Sequence, residues 1–134
     1  MVTIKRALQV LLALLFIGGG VNHFRDAAFY LRMMPDYLPA HALLVQLSGV
    51  TEIIAGVLLL VPAVSRWAAW LIVAHLVVFF TVHVWMLQHA ADRHSDVPVA
   101  GLWLRLVFQF VLIAWALWFT RGPRSRDPAP KRGA

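Results

Sequence analysis

The sequence contains no cysteine. That removes disulfides, thiol redox chemistry and iron–sulfur ligation by cysteine. Charge is scarce as well: 13% of the 134 residues are charged, against about 25% in an ordinary soluble domain. Acidic residues are rarest, with six Asp and Glu against twelve Lys and Arg. With 61% hydrophobic residues, the chain has too little polar surface to coat a water-facing globule. Its length suits one domain and gives a two-domain soluble reading no support. Alternating strand patterns are absent, as are phosphate-binding glycine loops.

What is present is four long apolar runs, at 3–21, 42–61, 67–87 and 102–120. A spanning helix needs about 20 mainly apolar residues, and each run comes close to that. The expected fold is therefore all-α: a polytopic membrane protein forming an antiparallel bundle of four transmembrane helices over residues 1–120. Pro62 and Ser65 leave only a tight turn between the second and third runs, which makes those helices antiparallel neighbours. Pro35 and Pro39 bracket a loop before the second run, and Asp92, His94, Asp96 and Pro98 mark a polar connection before the fourth. Residues 121–134 are rich in Arg, Pro, Gly, Ser and Ala and are expected to form a disordered basic cytoplasmic tail. The first run lacks an A-x-A-like cleavage site after Gly20 and is long for a signal peptide.

The net charge of +6 reads as a topology signal rather than a nucleic-acid footprint, because the basic residues lie between apolar runs and in the tail. Four crossings from a cytoplasmic N-terminus put Lys5, Arg6, Arg66, Arg121 and the basic tail inside. Arg25, Arg32 and Arg93 then lie outside. Trp67, Trp70, Trp115 and Trp118 fall near the inner interface, and Trp85 and Trp103 near the outer one, as aromatic belts do. Both termini are thus expected in the cytoplasm, with the chain multi-pass in a bacterial-type inner membrane. Tail contact with anionic membrane lipids is weighed against a plain orientation signal, and the second reading is preferred.

Charged groups near the bilayer centre cost about 2.5–3.5 kcal/mol even on a lenient scale, so those retained there call for a role. Glu52 lies roughly 15 Å below the outer end of its run, on a stripe with Ser48, Ala55 and Gly56 that should face other helices. It reads either as a proton acceptor or ligand partner, or as a paired carboxyl that locks the helices together. Arg105 and Gln109 are four apart and share one helix face. Arg105 either snorkels to headgroups or pairs inward with Glu52, with Gln109 bridging. Of the six histidines, His41, His89 and His94 fall at helix ends, and His75, alone near a midplane, reads as a packing residue. His83 is eight residues from His75, a rotation of about 80°, so the two are a poor chelating pair. His23, His83, Arg105 and Gln109 come from three runs at similar outer depth, with Glu52 beneath, and are the candidates for one ligand-binding or proton-relay cavity. No metal site is expected, since H-E-x-x-H, Glu-x-x-His and Cys/His spacings are missing. For haem, His23 with His83 is the one tempting pair.

Several segments together carry a resemblance. They are Gly20-Val21-Asn22-His23-Phe24, Met34-Pro35-Asp36-Tyr37-Leu38-Pro39, Ser48-Gly49-Val50-Thr51-Glu52 with Gly56, and Trp103-Leu104-Arg105-Leu106 with Gln109. In their order and spacing the chain resembles the DoxX family of small four-helix membrane proteins. The resemblance implies a loose link to quinone-dependent redox chemistry, in which this chain is the membrane subunit of an oxidoreductase and a redox partner subunit brings the cofactor. No intrinsic cofactor is expected, and the quinone is an external ligand. Two other classes stand beside it: a non-enzymatic membrane scaffold or adaptor, and a small transporter, which needs a homo-oligomer to build a path.

Overall fold

A computed structural model describes residues 3–92 and 97–121. Arg93, His94 and Asp96 of the polar connection, and the tail beyond Arg121, lie outside the described residues. The described residues form five helices and no strand: α1 (Ile4–Arg25), α2 (Ala27–Met33), α3 (His41–Leu59), α4 (Ser65–Gln88) and α5 (Val99–Thr120). Four of them, α1, α3, α4 and α5, are long and apolar enough to cross a membrane. In hydrocarbon every backbone N–H and C=O must be satisfied within the segment. This is why α1 runs unbroken through Gly18, Gly19 and Gly20 to Arg25, past the end expected at 21.

The joints have local causes. The Thr3 hydroxyl accepts from Arg6 N at 3.3 Å and caps α1. At Asp26 the backbone leaves the helix, and its carboxylate accepts from Phe29 N at 3.2 Å to start α2. This short helix lies outside the four apolar runs and just before the loop bracketed by Pro35 and Pro39. It stops at Met34, whose extended backbone is what a residue before proline adopts. Ala40 enters α3 in the left-handed region, at φ 49° and ψ 51°, a conformation that costs an L-residue roughly 1–2 kcal/mol. His41 Nε2 donates to Pro35 O at 3.0 Å and ties this turn together. At the other end of α3, Gln9 Nε2 donates to Leu59 O at 2.6 Å and Arg6 to Leu60 O at 3.2 Å. These side chains of α1 satisfy carbonyls that a helix C-terminus leaves without partners.

Helices α1 and α3 run antiparallel with their backbones almost touching. A Cβ on Gly20 would stand 2.6 Å from Gly49 O, and one on Gly56 would stand 2.7 Å from Ala13 O. Such small-residue seams are how helices approach closely where lipid replaces water. α4 packs along α5, and α3 against α4. Lys5 Nζ lies 6.0 Å from the Trp118 ring, so the start of α1 and the end of α5 share one end of the molecule. At that end Leu12, Phe16, Leu59, Ile72, Ala116 and Phe119 form one apolar core. At the opposite end Met33 of α2 joins Val82, Trp85, Met86 and Leu102 in a second. His23, Glu52, His75 and Gln109 of the spanning helices lie between the two.

Candidate functional site

A cavity of about 360 Å³ opens between these cores. His23, Glu52, His83, Arg105 and Gln109 all line it, so the structure brings together around one cavity the five residues that sequence depth had grouped. Their mutual contacts differ from those expected.

Glu52 pairs with histidines and not with Arg105. His75 Nε2 donates to Glu52 Oε1 at 2.9 Å, and His23 Nε2 stands 3.4 Å from the same oxygen. The cluster is deep: the His23 side chain is 2% exposed, Glu52 12% and His75 13%. His23 is fixed from its other side by a 2.9 Å bond from Nδ1 to Val45 O. A carbonyl can only accept, so that nitrogen carries the hydrogen. A neutral His23 therefore turns a bare Nε2 toward an ionised Glu52, and two lone pairs at that separation repel. One proton, carried by either group, makes the contact attractive. The geometry thus places a carboxylate and two imidazoles within proton-transfer distance of one another at the cavity wall.

Aromatic rings set the orientation of both imidazoles. His23 stacks on Tyr30 with ring centroids 3.7 Å apart, and His75 stacks on Phe79 at 4.5 Å. The second carboxyl oxygen, Glu52 Oε2, lies where a Cβ on Gly19 would be 2.9 Å away, so Gly19 leaves the room that the carboxylate occupies.

Arg105 faces the cavity near α2. Its Nη1 donates to Met33 Sδ at 3.3 Å, and its guanidinium lies 5.3 Å from the Phe29 ring centre. Among the described residues no carboxylate pairs with it. The inward pairing with Glu52 is corrected for a topological reason: α5 packs on α4, and α3 reaches α4 but not α5 as a packed neighbour. Gln109 is no bridge either, since its Nε2 donates to Leu76 O at 2.6 Å and anchors α5 to α4. His83 lines the cavity with no hydrogen-bond partner among the described residues. Among those residues no group of three or more His, Cys, Asp or Glu is arranged to hold a metal ion.

Sequence reasoning missed His75, which it took for a lone packing residue, and the lining from α2: Phe29, Tyr30 and Met33. The signal for His75 was available. Glu52 and His75 sit seven and ten residues from the two ends of the tight turn, about 10 and 15 Å by helical rise, close enough in depth to meet.

Fold and site together define a helical membrane protein with a polar cavity inside its spanning region. The chain belongs to a family defined by a domain of unknown function, DUF8561, which matches residues 12–120. No curated protein and no solved structure shows a significant match to it.

Proposed function

We propose that this is a DoxX-like protein of a bacterial-type cytoplasmic membrane, with four antiparallel spanning helices and both termini cytoplasmic. In this reading it is the membrane subunit of a quinone-linked oxidoreductase complex and holds a quinone head group in the cavity. The observation that carries the reading is the pair of unlike polar ends. Glu52, His75 and His23 stand within proton-transfer distance of one another at one end, and Arg105, with no anionic partner among the described residues, stands at the other. Arg105 lies one helical turn, about 6 Å, beyond Gln109, which is bonded at the level of Leu76 next to His75. The cavity volume falls in the low part of the roughly 300–1,000 Å³ range of small-molecule pockets.

A quinone supplies two carbonyl oxygens that accept hydrogen bonds and take up one proton each on two-electron reduction. The electrons come from a partner subunit. The residues of this chain do the rest. Arg105, with N–H groups left over after the weak bond to Met33 Sδ, donates to one oxygen. His75 and Glu52 hold a proton beside the other. Phe29, Phe79 and Leu76 exclude water and give the ring apolar walls.

The test is saturable binding of a ubiquinone or menaquinone analogue to purified protein in nanodiscs. Glu52→Gln and Arg105→Ala are each expected to weaken it about tenfold or more, the order of one lost charge-assisted hydrogen bond. Wild-type affinity in both variants removes the site. A second reading, the non-enzymatic scaffold, draws on the same cluster, because Glu52 also ties α3 to α4 through His75 and to α1 through His23. It is favoured if Glu52→Gln lowers the thermal midpoint while no quinone binds the wild-type protein.

A further inference from the structure

The geometry points to sideways loading of the cavity through a gap between α1 and α5, with the apolar chain of an amphiphilic ligand lying in that gap. This rests on the cavity reading above and adds to it the ligand's route and shape.

α1 packs on α3 and α5 packs on α4, but α1 and α5 are not a closely packed pair along their length. They meet at the end where Lys5 reaches Trp118. Above that contact the cavity is bordered by Leu15 and Gly19 on one side and by Phe108 and Leu112 on the other. Leu15 is 45% exposed and Phe108 51%, so each belongs both to the cavity lining and to the outer surface. Gly18 does not line the cavity: it is exposed, and a Cβ there would meet nothing within 4 Å.

The gap lies at membrane depth. Leu15 is eleven residues into α1 and Phe108 nine into α5, about 17 and 14 Å along helices that cross a hydrocarbon core of about 30 Å. It therefore faces acyl chains and not water. Along the other direction the cavity is covered by α2, whose Phe29, Tyr30 and Met33 line it and whose Met33 is bonded to Arg105. A compound arriving from hydrocarbon meets an apolar rim first and the polar groups only inside. About 360 Å³ holds a ring-sized head but not a long chain as well. A head seated between Arg105 and His75 leaves its chain in the groove between Leu15 and Phe108.

The experiment uses the full chain in nanodiscs and two probes: decylubiquinone, and the same benzoquinone ring without its chain. Leu15→Trp combined with Phe108→Trp fills the gap at two lipid-facing positions, and Gly18→Ala is the control. The double variant is expected to slow association and dissociation of the decyl compound about tenfold, and to change the affinity of the chainless ring less than about threefold. Arg105→Ala should weaken both probes alike. Unaltered rates for the decyl compound in a double variant with wild-type thermal stability overturn the lateral route while leaving the cavity reading intact. An equal loss of equilibrium affinity for both probes overturns it too, since the substitutions would then be acting on the head site. If neither probe binds the wild-type protein, the cavity reading itself fails and the route falls with it. Should the double variant prove unstable, Leu15→Phe alone, with a smaller change in volume, gives the same comparison.

Discussion

Three consecutive glycines in α1 have three different surroundings, and the difference can be measured. A methyl on Gly18 meets nothing, one on Gly19 meets the side-chain end of Glu52 at 2.9 Å, and one on Gly20 meets the backbone of α3 at 2.6 Å. Backbone does not yield as a side-chain end does. Gly20→Ala is expected to cost about 1–3 kcal/mol, the usual price of overpacking, and to lower the thermal midpoint in detergent. Gly18→Ala should be neutral, or stabilising by up to about 0.5–1 kcal/mol because alanine restricts the unfolded chain. Equal midpoints for the two variants would sink the account of the α1–α3 seam. A glycine triplet in an apolar run reads as either a close-packing site or a helix end, and the division of labour within it was not legible. Which glycine meets a backbone depends on the azimuth of α3, and no local pattern carries that. The same holds at Glu52. Its depth could be counted from the sequence, and so could that of Arg105. The choice of His75 over Arg105 was set by which helix stands beside α3.

At the scale of the element, α2 is the part the sequence reading passed over, and it completes the site. Seven residues are too few for an apolar period to stand out, and the helix is held by one cap and by contacts with distant residues. Its cap was nonetheless in plain view: Asp26 precedes Ala27-Ala28-Phe29, a run that an aspartate can start by accepting from the third amide. Asp26→Ala should weaken α2 by about 1 kcal/mol. Amide exchange over residues 27–33, followed by mass spectrometry, should then rise about fivefold, while α3 and α4 keep their wild-type protection. Met33 carries the bond to Arg105, so the same variant should also loosen quinone-analogue binding. Unchanged exchange in α2 would mean that Phe29, Tyr30 and Met33 hold it by packing alone. The long helices were legible because hydrocarbon permits few structures and length alone identifies them. Helix order in space was not, apart from the α3–α4 hairpin forced by the turn at Pro62.

For the whole molecule, the arrangement makes a claim about sides. Lys5 beside Trp118 puts the start of α1 and the end of α5 together, and Arg6 and Gln9 close the end of α3 nearby. Tyr37, between α2 and α3, belongs to the other end and is exposed. On the proposed topology, the excess of Lys and Arg near Lys5, Arg66 and Arg121 puts the first end in the cytoplasm by the positive-inside rule. Because the chain has no cysteine, every introduced thiol reports one place only. In intact cells a membrane-impermeant maleimide should label Tyr37→Cys, and should reach Thr3→Cys and Arg121→Cys only after the membrane is opened. Labelling of all three in intact cells would invert or break the topology. Labelling of Thr3→Cys without Arg121→Cys would contradict the shared end itself, and with it the helix arrangement that encloses Glu52, His75 and Arg105. The result also decides the side from which water, and hence protons, can approach α2 and the cavity beneath it.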